Sequence, residues 1–139
     1  MRRIVIKAAI VLVAFAAMTG CSRSVLEFSG PRELSCNAQS VEYRAVGSVS
    51  AFELYQVSYE LLSADGPSTS IVEDGFAEYQ RDGGYYLSEW FSVVQAGETI
   101  MLSVTENPTP YIRKIKIGYS TDSPRWEGDV LEIRQVPRQ

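Results

Sequence analysis

In the stretch Tyr55-Gln56-Val57-Ser58-Tyr59-Glu60-Leu61, apolar and polar side chains alternate without interruption. Successive side chains of a β-strand point to opposite faces of a sheet, so a period of two is typical of a strand with one buried face. The preceding residues Phe52 and Leu54 follow the opposite phase, which a β-bulge near residues 54–55 would reconcile. The stretch therefore predicts a long, half-buried strand with one irregularity.

The same period continues outward along the chain from residue 41. Further strands are predicted at 41–46, 70–72, 76–80, 85–94, 100–105, 111–119 and 130–136. Glycine-containing sequences at 81–84 and 95–98 predict tight turns, because glycine accepts positive φ. No capped helical stripe of apolar side chains occurs beyond residue 22. The sequence thus predicts an all-β fold, an antiparallel β-sandwich of immunoglobulin-like architecture with about seven strands. A small closed barrel is the alternative.

The beginning of the chain has the pattern of a signal peptide. Basic residues precede an apolar run from Ala8 to Met18, which is too short to cross a hydrocarbon core of ~30 Å as a helix. The run ends in Met18-Thr19-Gly20-Cys21, which resembles a bacterial lipobox. The resemblance implies that Cys21 carries diacylglycerol, that the chain is cut before Cys21, and that fatty acids such as palmitate attach the protein to a membrane. In bacteria with two membranes, such proteins are usually sent to the outer membrane.

The predicted organisation follows from this motif. Residues 1–20 are a lipoprotein signal peptide, residues 21–38 a polar tether and residues 39–139 the β-sandwich domain. Val25, Leu26 and Phe28 would also suit a first strand. The alternative for the start of the chain is ordinary secretion after cleavage at Ala14-Phe15-Ala16, which would leave Cys21 and Cys36 able to form a disulfide.

Composition excludes several kinds of chemistry. The chain has 13 basic and 17 acidic residues and no histidine. Histidine-dependent nucleophilic catalysis and imidazole metal ligation are therefore excluded, and the acidic balance argues against nucleic-acid binding. Carboxylates at Glu73, Asp74, Glu78 and Asp82 could form a hydrolase pair or a Ca²⁺ site, but turns also favour aspartate beside glycine. We expect no enzyme activity, no metal and no cofactor.

Four side chains are candidates for contact with a ligand or partner. Trp126 lies in a predicted loop, where binding residues are common, and Tyr86 adjoins Tyr85 so that one of the two faces outward. Lys114 and Lys116 form a basic stripe. The stripe would attract anionic lipid or an acidic partner, or else mark a solvated face or a protected edge strand.

Short motifs between residues 41 and 119 resemble the MmpS-type small β-sandwich proteins. They are Val41-x-Tyr43, a strand around Tyr59, Trp90-x-Ser92, Ala96-Gly97-Glu98, Leu102-Ser103-Val104 and Ile115-x-Ile117. That family is anchored on the envelope side of a membrane and assists lipid exporters of the RND type, so the resemblance implies an accessory role there. The sequence as a whole predicts a membrane-anchored envelope lipoprotein that binds a protein partner without catalysis. The alternatives are a small-ligand or glycan-binding sandwich and a lipid-exporter accessory protein.

Overall fold

The computed structural model describes residues 26–47, 51–63, 69–121 and 128–138, and all of its regular elements are strands. In chain order they are β1 (Leu26–Ser29), β2 (Glu33–Leu34), β3 (Gln39–Gly47), β4 (Phe52–Ser63), β5 (Ser70–Phe76), β6 (Glu78–Gln80), β7 (Tyr85–Leu87), β8 (Phe91–Ala96), β9 (Thr99–Val104), β10 (Ile112–Thr121) and β11 (Gly128–Gln135). The all-β prediction is therefore confirmed, with eleven strands in the described residues where about seven were expected. No helix in these residues is long and apolar enough to cross a membrane.

The strands form two sheets. One has six strands in the order β1-β3-β9-β8-β7-β6, and the other has five in the order β2-β11-β10-β4-β5. Within them, the runs β1-β3-β9-β8 and β11-β10-β4 reproduce the A-B-E-D and G-F-C orders of immunoglobulin domains. All pairs are antiparallel except the short parallel pair of β2 with β11. The predicted antiparallel sandwich of immunoglobulin-like architecture is thus confirmed.

The chain passes between the sheets at both lateral sides of the sandwich. On one side, β5 ends at Phe76 in the five-stranded sheet and β6 begins at Glu78 in the six-stranded sheet. Ala77 lies at this corner, and its backbone N–H donates to the carbonyl of Val57 at 2.9 Å. The sequence predicted the interruption earlier, between the strands at 70–72 and 76–80, whereas β5 continues to Phe76. On the other side, the chain crosses between β1 and β2.

The predicted tether through residue 38 is corrected by this second crossing. Leu26 and Phe28 of β1 and Leu34 of β2 are buried in the core. The polar residues between them form a corner in which Gly30 has a φ of 121°. The serine, glycine and proline that suggested a tether therefore form the corner between β1 and β2. The described sandwich begins at Leu26, not at residue 39.

The prediction of a single strand over residues 85–94 is also wrong. These residues contain two antiparallel strands, β7 and β8, with Tyr86 opposite Val93. The reversal is closed by the N–H of Ser88, which donates to the carbonyl of Phe91 at 2.9 Å. Trp90 lies in this reversal and its side chain is buried.

The core lies between the sheets and contains aromatic contacts at both ends. Phe28 packs edge-on against Phe52 and Tyr119, with ring centroids 5.1 and 5.0 Å away. At the opposite end, Tyr59 packs edge-on against Trp90 and Phe91 at 5.7 and 6.1 Å. Each contact joins residues that belong to different sheets or to the turn beside one. Edge-to-face pairs of this kind add to the burial of apolar area, so they help hold the two sheets together.

The predicted bulge in β4 is confirmed. Gln56 pairs with Gly118 and Leu54 pairs with Tyr119, which leaves Tyr55 as the additional residue on β4. The extra residue shifts the phase of the strand, so that Phe52 and Val57 both reach the core. Tyr55 itself is directed to the opposite surface, where its ring lies against Gly118 of β10.

Candidate interaction surface

Lys114 and Lys116 lie on the outer face of β10, a central strand with β4 on one side and β11 on the other. The interpretation of these lysines as protection for an edge strand is therefore wrong. Their neighbours Ile115 and Ile117 face the core, as the alternation predicts. The two lysines belong instead to the exposed face of the five-stranded sheet.

Glutamates neutralise this basic stripe. Lys116 Nζ lies 3.1 Å from Glu60 Oε2, and Lys114 Nζ lies 3.9 Å from Glu60 Oε1. Lys114 Nζ also lies 3.4 Å from Glu132 Oε1 on the other neighbouring strand. The face therefore carries a network of paired charges across β4, β10 and β11. Such a surface exerts little attraction on an anionic lipid or on an acidic partner.

Beside this network lies a shallow groove of about 360 Å³. Its polar part includes Gln56, Ser58 and Lys116. Its apolar part includes three exposed side chains, Tyr55, Phe76 and Val130, of which Phe76 is 69% exposed. The Tyr55 ring has room because Gly118 has no side chain: a Cβ there would lie 2.9 Å from Tyr55 Cζ. A large exposed phenylalanine beside a groove is typical of a contact surface.

Phe76 also ends the outermost strand of this sheet. β5 has seven residues, nearly all of them exposed, and Ile71 and Val72 join Phe76 as exposed apolar side chains. Asp74 lies opposite Glu60 and Phe76 opposite Ser58, so both share the groove's face of the sheet. β5 has no strand beyond it in the part of the chain that the structure describes, so one of its edges is free there. The groove and this free edge form one continuous surface, which we call the groove–edge surface.

Tyr86 lies in a second cleft, of about 590 Å³, which is lined by residues of β4 in one sheet and of β6, β7 and β8 in the other. Tyr55 and Tyr79 line the same cleft together with Glu53 and Gln95. The rings of Tyr79 and Tyr86 are 5.0 Å apart, and the Tyr86 hydroxyl donates to the carbonyl of Leu54 at 3.4 Å. Burial, followed by the nearby Tyr79, raises the pKa of Tyr86. We call this the tyrosine cleft.

The carboxylates considered for catalysis or Ca²⁺ binding are spread along β5, β6 and the following turn. Glu73 and Asp74 are adjacent in β5, so they point to opposite faces. The Tyr59 hydroxyl donates to Glu73 Oε2 at 3.5 Å, on the side facing the core, and burial is the main cause that raises the Tyr59 pKa. In the described ranges, no three His, Cys, Asp or Glu side chains come together as a cation site.

Two predicted functional residues, Cys21 and Trp126, lie outside the described residues. Cys36 lies within them and is a free, half-buried thiol. The structure therefore places Lys116 in the groove and Tyr86 in the tyrosine cleft, on two surfaces that share Tyr55. The sequence did not single out Tyr55 as a surface residue, although the expected bulge was the signal that could have done so.

Sequence reasoning also missed a buried polar cluster at one end of the core, formed by Asn107, Arg113 and Gln135. Asn107 Nδ2 donates to the carbonyls of Tyr111 and Val136 at 2.9 and 3.2 Å. Gln135 Nε2 donates to the carbonyl of Thr105 at 3.0 Å, and Gln135 Oε1 accepts from Arg113 Nη1 at 3.1 Å. The side chains join backbone groups of separate segments, so this cluster is structural. Arg113 shares the odd-numbered phase of Ile115 and Ile117, which was a signal for its inward position.

Comparison with known proteins identifies a fold and no family. No protein-family model matches the chain, and no curated protein matches it. Among solved structures it is similar to a protein from Bacteroides thetaiotaomicron determined by NMR, with a TM-score of 0.53 and 11% identity over 82% of this chain and 88% of that one. It is also similar to murine CRIg, with a TM-score of 0.44 and 9% identity over 83% and 99% of the two chains. At this level of identity, the similarity to the Bacteroides protein extends to the fold alone.

Proposed function

We propose that this chain is a membrane-anchored envelope lipoprotein whose β-sandwich binds a protein partner and catalyses no reaction. The observation that carries the proposal is the groove–edge surface, where Tyr55, Phe76 and Val130 are exposed beside paired charges. Protein-binding surfaces combine exposed aromatic side chains with a polar surround in this way. The resemblance of residues 18–21 to a lipobox supports the anchor.

The position of the anchor is compatible with this surface. Cys21 precedes Leu26 by five residues, so an extended connection could span at most ~18 Å. An acylated Cys21 would therefore hold β1 close to the membrane. β1 and β2 lie at one lateral side of the sandwich, whereas β5 and β6 lie at the other. The groove–edge surface would then remain accessible to another envelope protein.

Site-specific photo-crosslinking in cells tests the proposal. A photoreactive amino acid replaces Phe76 in the full chain, and the matched control replaces Val46, an apolar side chain of β3 that is 45% exposed on the other sheet. We expect a discrete crosslinked product from position 76 that is missing from position 46. Equal products from both positions, or none from position 76 at native abundance, would contradict the proposal.

A second candidate function, the binding of a saccharide or other small ligand, is favoured by the tyrosine cleft. Tyrosine rings can stack on the apolar face of a sugar, and Glu53 and Gln95 supply polar groups beside them. Titration of the full chain with maltotriose and chitotriose, followed by NMR, tests this function. We expect Tyr79→Ala to abolish binding and Tyr111→Ala, a control outside the cleft, to leave it unchanged. If neither sugar perturbs the cleft residues, these saccharides are excluded as ligands.

A further inference from the structure

We infer that the partner binds by adding a strand to the free edge of β5, and that this added strand carries basic residues opposite Glu73 and Asp74. The inference rests on the proposed function and specifies how the partner binds. It depends on three features of β5, namely its length, its charge and the apolar side chains at its two ends.

β5 is the longest of the four strands at the edges of the two sheets. It has seven residues, whereas β1 has four, β6 has three and β2 has two. In the described residues, β5 pairs only with β4. An antiparallel ladder uses the N–H and C=O groups of alternate residues, so the remaining backbone groups of β5 point away from the sheet. A long edge of this kind can accept another strand.

The sequence of β5 lacks some features that usually protect an edge strand. It contains neither proline nor lysine, and Ile71, Val72 and Phe76 are all exposed. These apolar side chains would lie beside those of an added strand. They give the edge a source of affinity in addition to its backbone hydrogen bonds.

The acidic residues of β5 determine which strand fits. In an antiparallel pair of two β5 strands centred on residue 73, Glu73 would lie opposite Glu73, and like charges in this position are unfavourable. A second copy of this chain is therefore a poor occupant. Among the described residues, Glu73, Asp74 and the nearby Glu78 form no ion pair with a basic side chain. Lysine or arginine on the incoming strand would supply that pairing.

The wider charge distribution favours the same occupant. Residues 40–106 contain two arginines, no lysine and eleven carboxylates. The lysines of β10 do not offset the charge at this edge, because Glu60 and Glu132 already pair with them. The edge of β5 would therefore attract an extended basic segment, and its attraction would weaken as salt is added.

Binding of synthetic heptapeptides to the full chain in detergent micelles tests the inference. The first peptide has lysine at its three central positions and valine at the other four, so that lysines lie on both faces of the added strand, and the second replaces each lysine with glutamate. The third is the lysine peptide with its alternate backbone nitrogens methylated, which removes hydrogen-bond donors and keeps the charge. We expect the lysine peptide to bind and to perturb the amide NMR signals of β5. The glutamate peptide should not bind, and the methylated peptide should bind at least about tenfold more weakly.

Charge reversal on the protein provides the matched comparison. The double variant Glu73→Lys/Asp74→Lys should lose the lysine peptide and gain the glutamate peptide. The control Glu27→Lys/Glu42→Lys makes the same change of charge on β1 and β3, and it should behave like the wild type. Circular dichroism checks that both variants are folded. If they are, equal effects of the two double variants would overturn the inference.

The two proposals fail in different ways. Equal binding of the lysine peptide and its methylated form, or signals perturbed away from β5, would overturn strand addition. If position 76 still gives its crosslinked product in cells, the proposed function stands without this mode of binding. If that product is missing as well, both proposals fail.

Discussion

The guanidinium carbon of Arg113 lies 4.6 Å from the centroid of the Trp90 ring, and both side chains are buried. Arg113 Nη1 donates to the carbonyls of Thr105 and Glu106 and to Gln135 Oε1, at distances between 3.1 and 3.2 Å. No carboxylate in the described residues pairs with it. Burial accordingly lowers the pKa of Arg113. An aromatic face and three oxygen atoms therefore stabilise a buried cation.

The first prediction concerns this cation. Arg113→Met should lower the free energy of unfolding by about 1–3 kcal/mol, because the buried oxygen atoms that accept from the guanidinium lose their donor. Arg134→Met, at an exposed position on β11, is the control and should change it by less than about 0.5 kcal/mol. Urea unfolding of both variants measures the difference. Equal values would contradict a stabilising role for Arg113.

The alternation of side chains was sufficient to predict much of the fold. It identified β4, its bulge, and the inward and outward faces of β10. The turns before β7 and after β8 also followed from sequence, because Gly84 and Gly97 have positive φ values of 68° and 65°. These features depend on residues close together in the chain. The phase of one strand and the conformation of one turn are local properties, so they can be predicted from a short stretch of sequence.

Features that depend on distant residues were not predictable in the same way. The reversal at residues 88–90 contains no glycine or proline and interrupts an aromatic run that resembles a single strand. The crossing at Ala77 is fixed by its bond to Val57 in another strand. The candidate site also depends on residues that are distant in the chain, because Tyr55, Phe76 and Val130 come from β4, β5 and β11. No local pattern brings these three strands to one face.

The second prediction compares two glycines that both have positive φ. A Cβ at Gly30 would lie 2.6 Å from Cδ1 of the buried Tyr43, whereas a Cβ at Gly97 would have no atom within 4 Å. Gly97→Ala should therefore cost only the backbone penalty, about 1–2 kcal/mol. Gly30→Ala should cost clearly more, since Tyr43 cannot move without disturbing the core. Thermal unfolding of the two variants tests this order, and a smaller loss at Gly30 would contradict it.

The third prediction is a loss of stability at alkaline pH. Burial raises the pKa of Tyr43 and of Tyr119 from 10.0 to about 12. Below pH 10 both tyrosines keep their protons in the folded and unfolded states, so their contribution to stability is fully present. Between pH 10 and 12 the unfolded chain releases these protons and the folded protein retains them. Stability should therefore fall as pH rises through this window, by at most about 1.4 kcal/mol per pH unit for each tyrosine.

Urea unfolding between pH 8 and 12 measures this effect. The comparison needs a variant that lacks only the two hydroxyls. Tyr43→Phe/Tyr119→Phe should be less stable than the wild type at pH 8, because the bonds of the hydroxyls to the carbonyls of Pro31 and Leu26 are lost. As pH rises from 10 to 12, the stability of this variant should decline less steeply than that of the wild type. A decline as steep as that of the wild type would contradict the prediction.

The fourth prediction concerns a substitution that should weaken binding at the groove while leaving the stability of the fold nearly unchanged. Gly118→Ala would place a Cβ 2.9 Å from Tyr55 Cζ and 3.1 Å from Tyr55 Oη, at the mobile end of an exposed side chain. Tyr55 can move aside, so the free energy of unfolding should change by less than about 1 kcal/mol. Photo-crosslinking of the partner from position 76 should nevertheless weaken. Normal crosslinking with a displaced Tyr55 ring, detected by NMR, would exclude that ring from the contact.

The fifth prediction concerns the anchor. If residues 18–21 act as a lipobox, Cys21→Ser should abolish acylation and release the protein from the membrane fraction, because a hydroxyl does not replace the thiol that is acylated in such a motif. Cys36→Ser is the matched control, since Cys36 is a free thiol within the sandwich, and it should leave membrane attachment unchanged. Mass spectrometry of the chain purified from membranes measures the added acyl groups directly. An unmodified Cys21 bridged to Cys36 would instead identify a secreted protein. The sandwich would then lose the membrane attachment on which its proposed role in the envelope depends.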